Sequence, residues 1–455
     1  MIFPAWFSHH LAAKVWERAR KSGNFPITRT MVTIPTKNNR SQHFTSDVAI
    51  LFLTRFVRLF AYGSLSVVLV FYLTDLGLST AQTGVLFTLT LVGDTVISFY
   101  LTTRADRIGR RRMLIVGAAL MIAAGAVFAI THSFLWLTMA ATIGVISPSG
   151  NEVGPFLSIE QAALSSVISE KTRTQVFAWY TLAGSFATAL GALATGAITH
   201  ALQKTAITTL GGYRAIVVLY AMLGVVLLFA FYRLTSAAEV ALHESPDISA
   251  GLRKFFGVGH SYHVVLKLSG LFALDSFGGG FVVQSFAAYW FYLRFGLTPA
   301  SLGVIFFVAN LLSGISALLA SRLASRIGLV RTMVFTHLPS NILLILIPLM
   351  PSLPLAVAVL FLRFSISQMD VPTRQSYTMS VVPPHERSAA AGITGVSRTT
   401  GAALAPVLAG FMFARPSLIS APFFIAGTLK IVYDLLLYKS FRAIKPPEES
   451  ETAAD

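Results

Sequence analysis

The chain has 455 residues, 55% of them hydrophobic and only 12% charged, with a net charge of +16 and no cysteine. A soluble domain carries about 25% charged residues, so a soluble enzyme, a disordered chain and a nucleic-acid-binding domain are excluded as leading readings. The absence of cysteine removes disulfides, thiolate metal sites and cysteine nucleophiles.

Residues 1–47 form a basic tail with Glu17 and Asp47 as its acids. It reads as a positively charged cytoplasmic tail, as an organelle transit segment, or as an extension upstream of a start at Met31. Beyond it, a run of about 20 apolar residues is long enough to cross a bilayer as a helix. Twelve such runs occur, near 48–74, 81–103, 113–132, 134–158, 174–200 and 213–234, and then near 264–293, 300–321, 332–351, 353–379, 388–413 and 417–438. The segment 235–263 carries Glu239, Glu244, Pro246, Asp247, Arg253 and Lys254 and reads as a polar linker between two six-helix halves, 48–234 and 264–440. Residues 441–455 form a C-terminal tail. Most Lys and Arg outside the spans fall on the side of both termini, leaving Lys204, Arg214, Arg294 and Arg415 opposite. The positive-inside rule then puts both termini in the cytoplasm, and most of the positive charge is an orientation signal. The expected setting is the plasma or inner membrane.

The halves repeat one another in the same orientation. Ala81-Gln82-Thr83-Gly84-Val85-Leu86-Phe87 aligns with Ala300-Ser301-Leu302-Gly303-Val304-Ile305-Phe306, and Arg107-Ile108-Gly109 with Arg326-Ile327-Gly328. Further along, Gln161 falls on Gln375, Arg173 on Arg387 and Gly196 on Gly410. Parallel six-helix repeats are a transporter architecture, with the site at the midplane between them.

Between spans two and three runs Thr102-Thr103-Arg104-Ala105-Asp106-Arg107-Ile108-Gly109-Arg110-Arg111-Arg112. A tight loop needs Gly109 for its turn, and Asp106 can face a helix N-terminus or an arginine. With the repeat, this loop resembles the signature G-x-x-x-D-R/K-x-G-R/K-R/K of the major facilitator superfamily. The resemblance covers about 48–440. It departs at Thr102, in place of the first glycine, at Arg104, in place of an apolar residue, and at Ser325, which replaces Asp in the second copy. It implies an all-α membrane fold of twelve helices in two parallel-repeat bundles. It also implies that Asp106, Arg107, Gly109 and Arg110 form a conformational latch, and that spans one, four, seven and ten line a central cavity. Drug exporters of the superfamily often carry a Gly-Pro-rich span five. Here span five has Gly184, Gly191 and Gly196 without proline, and the pattern recurs in span eleven as Gly401, Pro406 and Gly410.

Ionisable residues inside spans are costly and usually functional. Candidate substrate or proton groups are Arg55, Arg58, Asp94, Glu152, Asp275 and Asp370, with Gln284 beyond the glycine run Gly278-Gly279-Gly280. Helix breaks are expected around Pro148–Pro155, at the glycine run, and at Asp370-Val371-Pro372. Arg58 suits an anionic substrate group or pairs with Asp94 or Glu152. The repeat places Arg55 on Asp275 and Glu160 on Arg374, with opposite charges. Glu160 and Arg374 are therefore gate candidates, closing across the halves or else pairing locally. Lys430 and Asp434, one turn apart, read as a local pair.

The resulting expectation is a secondary active transporter of a small solute working by alternating access. Proton coupling and a small organic anion or zwitterion as substrate complete it. Export of hydrophobic compounds and a non-transporting sensor on the same fold are the alternatives. No enzymatic constellation, P-loop, metal set or cofactor is expected beyond the proton. The expected partners are the substrate and the bilayer, with no nucleic acid, for a chain acting as a monomer.

Overall fold

The computed structural model describes residues 37–150, 156–168, 173–235, 261–383 and 386–443. Every regular element among them is helical. The first half holds α1 (Lys37–Asp75), α2 (Thr80–Ile108), α3 (Arg110–Ile130), α4 (Phe134–Ile143), α5 (Phe156–Val167), α6 (Arg173–Gln203) and α7 (Thr209–Tyr232). The second half holds α8 (Tyr262–Gly280), α9 (Gln284–Phe295), α10 (Pro299–Ile327), α11 (Leu329–Leu346), α12 (Leu353–Phe364), α13 (Asp370–Ser380), α14 (Arg387–Phe413) and α15 (Ala421–Phe441). Among the described residues, ten stretches are long and apolar enough to cross a membrane. The helix pairs α4–α5 and α12–α13 supply the fourth and tenth crossings as two short helices each. In lipid a backbone satisfies its polar groups only within helices or closed barrels, and so the chain spends its length on helix.

The helix starts are written in the sequence. Ser79 and Gln82 form a reciprocal capping box at α2, and Thr298 caps α10 with Pro299 in the first turn. Both devices satisfy backbone donors that the helix leaves open. At the opposite end, Gly109 with φ +114° ends α2 and begins α3, and Gly328 with φ +88° does the same between α10 and α11. A side chain is strained at these angles, so the repeated Arg-Ile-Gly is a repeated turn.

Three boundaries differ from the sequence expectation. Helix α1 begins at Lys37, inside the stretch read as tail. The break in the tenth crossing falls at 365–369, just before Asp370. Pro372 lies in the first turn of α13, where a missing N–H leaves no bond unmade. The break in the seventh crossing lies at Phe281–Val283, directly after the glycine run. The linker 236–260, the tails 1–36 and 444–455, and the Asn151–Pro155 part of the fourth crossing lie outside the described residues.

The halves meet through helix pairs with almost no side chain between them. A Cβ on Gly84 of α2 would lie 2.4 Å from the Pro406 carbonyl oxygen of α14, and one on Gly410 would lie 2.5 Å from that of Thr80. Between α6 and α10, a Cβ on Gly303 would lie 2.5 Å from the Ala192 carbonyl oxygen, and one on Gly196 2.9 Å from that of Ala300. Small residues let helix backbones approach in a membrane, where packing rather than water drives association. Pro406 has no N–H to give Ala402, and the Val407 N–H turns across the seam to Thr88 Oγ1 at 3.0 Å.

Candidate transport site

Each half buries an ion pair between its first and fourth crossings. In the first half Arg58 of α1 grips Glu160 of α5 with two hydrogen bonds of 2.7 Å. Both residues are fully buried. Thr54 donates to the same carboxylate at 2.8 Å, and Tyr180 of α6 donates to its other oxygen. Arg55, one turn before Arg58, lies 4.3 Å above the Tyr180 ring. The bidentate fork is the geometry in which arginine and carboxylate bind most strongly.

In the second half Asp275 of α8 is the hub. It accepts from Arg374 of α13 at 3.0 Å and from Lys430 of α15 at 2.6 Å. His337 of α11 stands 3.7 Å away. Arg374 also reaches Asp370, one turn before it, at 3.1 Å. On its other side the His337 ring contacts Asp434 of α15 at 2.8 Å, and Asn341 donates to the same carboxylate at 2.8 Å. Asp275, Asp370, Arg374, His337 and Asp434 are all buried. One network therefore ties α8, α11, α13 and α15 together.

The opposite charges that the repeat put at Glu160 and Arg374 gain a definite meaning here. The first half bridges its first and fourth crossings with arginine on α1 and glutamate on α5. The second bridges its own with aspartate on α8 and arginine on α13. The same bond is made with its polarity reversed. The cross-half pairs considered from sequence are not formed: Glu160 is held by Arg58, Arg374 by Asp275 and Asp370, and Arg55 stacks on Tyr180. Arg58, read as a mid-membrane cation for a substrate, has its charge matched by Glu160, a partner not considered from the sequence. Lys430 and Asp434 do not pair with each other but turn to Asp275 and His337.

The remaining candidates are dispersed. Asp94 on α2 is half-buried and accepts from Ser98 at 3.2 Å. Glu152 lies outside the described residues, as do the side chains of Asp106 and Arg107. Arg110, at the start of α3, donates to the Ala162 carbonyl of α5 at 3.0 Å, which ties the turn after α2 to the fourth crossing of its own half.

Gln284 sits in the seam. Its Nε2 donates to Ser66 of α1 at 2.8 Å, and its Oε1 accepts from Asn310 of α10 at 3.1 Å. Ser285 donates through its hydroxyl to the carbonyls of Ser66 and Pro148, both at 2.7 Å. Phe71 packs edge-on against Tyr289 and Tyr292, and Phe87 lies against Phe286. These contacts close the halves on each other at the end away from the termini.

Sequence reasoning missed His337, Asn341 and the long-range roles of Lys430 and Asp434. His337 gave no signal, standing alone in an apolar run. The two residues on α15 did give one, since each carries a charge inside a span.

The Major Facilitator Superfamily model matches residues 51–398 and, in a second overlapping match, 276–455. The chain is 30% identical to the uncharacterized membrane protein YJR124C of Saccharomyces cerevisiae, over 88% of this chain and 94% of the yeast protein. Among solved structures it resembles the nucleoside transporter NupG, with a TM-score of 0.68 and 12% identity over 87% of this chain and 98% of that one. It also resembles the D-xylose-proton symporter, with a TM-score of 0.66 and 16% identity over 87% and 97%. The twelve-crossing helical architecture, the seam of small residues and the family match agree, and the chain belongs to the Major Facilitator Superfamily of membrane transporters.

Proposed function

We propose that the protein is a proton-coupled secondary transporter of a small organic anion or zwitterion, acting as a monomer by alternating access with both termini in the cytoplasm. The observation that carries coupling is the Asp275 hub. One buried carboxylate holds Arg374 and Lys430 from two other helices and faces His337 from a third. Its ionised form balances those cations. A proton on it removes the reason for α13 and α15 to stay against α8, so protonation and helix position are linked. His337, between Asp275 and Asp434, is a second group through which a proton can enter or leave the network. Contacts close the halves at the end away from the termini, which in this reading is the non-cytoplasmic side.

The test is uptake into proteoliposomes under an imposed pH gradient, screened over organic acids, amino acids and neutral controls. Flux should follow the gradient and fall when a protonophore collapses it. D275N should retain exchange of solute for solute while losing accumulation. Accumulation by native protein that is indifferent to the protonophore would exclude proton coupling.

A further inference from the structure

Two arginines of the second half contrast with every other ionised group in the network. Arg363 on α12 and Arg398 on α14 form no ion pair with any described carboxylate, and the Nε of each is buried without a hydrogen-bond partner. Both are half-buried residues. Of each guanidinium, the Nε is the atom buried without a partner. Arg363 lies with its guanidinium 5.1 Å from the Phe364 ring centre. Both lie within electrostatic reach of Asp370, but Asp370 is already bonded to Arg374. Arg398 additionally feels Arg374 as a neighbouring like charge.

Charge counting sharpens the contrast. Asp275 and Asp370 are matched by Arg374 and Lys430, while Asp434 is contacted by His337 and Asn341. Arg363 and Arg398 are what is left over. An arginine keeps its charge at any accessible pH, and a cation inside a membrane protein is retained against a cost of several kcal/mol only where something pairs with it or it serves a pathway. The guanidinium fork matches the planar oxygens of a carboxylate or the oxygens of a phosphate.

We infer that Arg363 and Arg398 form an anion subsite in the second half, taking a carboxylate or phosphate group of the transported solute. The subsite rests on the transport reading above and moves the anion-binding role from Arg58, whose charge Glu160 neutralises, to the tenth and eleventh crossings. Binding there places an anion beside Asp370 and Arg374, so the solute loads next to the hub that takes the proton.

The test uses the purified full-length chain in a neutral detergent, with thermal unfolding read against succinate, inorganic phosphate and the uncharged analogue succinamide. Succinate or phosphate should raise the unfolding temperature, and succinamide should not. R363Q and R398Q should each weaken the apparent affinity about tenfold, the scale of one charge-assisted contact. R398K should recover part of what R398Q loses. Without anion, R398Q should unfold no earlier than the native protein, because it removes a cation that no described carboxylate holds, whereas R374Q should unfold earlier. Equal stabilisation of the R363Q/R398Q double variant by succinate overturns the subsite. So does equal stabilisation by succinamide, or stabilisation by phosphatidylglycerol with no response to either soluble anion. Gradient-driven uptake is measured alongside. Gradient-driven uptake of a zwitterionic amino acid without anion binding overturns the subsite and leaves the transport reading intact. Anion binding without gradient-driven uptake supports the subsite and removes the transport reading.

Discussion

Glu160 shows what holds an ionised group in this membrane. It is fully buried, and both of its oxygens are occupied by donors from three positions on two other helices. Breaking such a pair by removing one partner strands the other charge, at a cost of about 3–5 kcal/mol. R58Q and E160Q should each lower the unfolding temperature sharply in detergent. A double replacement with apolar residues, R58M/E160L, should recover much of the loss, because no charge is left stranded. If the double variant is as unstable as the sum of the singles, the pair is held for packing around it rather than for charge. The sequence exposed both charges and their correspondence with the second half, but not their partners. Spacing along one chain identifies neighbours within a helix, and Lys430 and Asp434 satisfied that pattern while turning to different helices. Partners across helices depend on rotation of each helix about its axis, which a single sequence does not carry. His337 lacked even a charge to mark it.

At the scale of elements, hydropathy and glycine placement were enough to read the fold. Twelve apolar runs became twelve crossings, and the repeated Arg-Ile-Gly became two turns with positive φ at Gly109 and Gly328. What hydropathy could not locate were the interruptions inside crossings, because a break at 365–369 leaves the apolar run unbroken in composition. The glycine alignment of the two halves contains the seam itself: Gly84 and Gly303 are equivalent residues, and each packs against a backbone carbonyl of the other half. A leucine at either position cannot be accommodated without separating α2 from α14, or α6 from α10. G84L and G303L should therefore fold, since the clash lies between halves and not within one, yet shift the protein away from the conformation described here. A single cysteine at Ser285, beneath the seam, should label faster with a membrane-impermeant thiol reagent in G303L than in the parent. Equal labelling rates would mean that the seam tolerates the added bulk and is not a close-packed contact.

For the molecule as a whole, alternating access requires that a contact closed in one state be open in another. Among the described residues the seam between the halves is held by neutral groups: Ser66, Gln284, Ser285 and Asn310 exchange hydrogen bonds, and aromatic rings cover them. The buried ion pairs among the described residues instead stay within each half. A net hydrogen bond is worth about 0.5–1.5 kcal/mol, against the several kcal/mol of stranding a buried charge. The division assigns the strong bonds to the interior of each bundle, where a proton on Asp275 can loosen them, and the weak ones to the surface that must part on every cycle. The chain has no native cysteine, so a designed pair reports without background. Cysteines at Ser66 and Gln284, whose native side chains touch at 2.8 Å, should be bridged by a short reducible thiol crosslinker. Bridging should stop transport and reduction should restore it, while either single cysteine treated in the same way keeps its activity. Transport at the native rate by fully bridged protein would mean that this seam never opens, and the pathway would then have to avoid the face between α1 and α9. Arrest and recovery would instead place the parting surface at the seam and leave the charged hubs inside the bundles on either side.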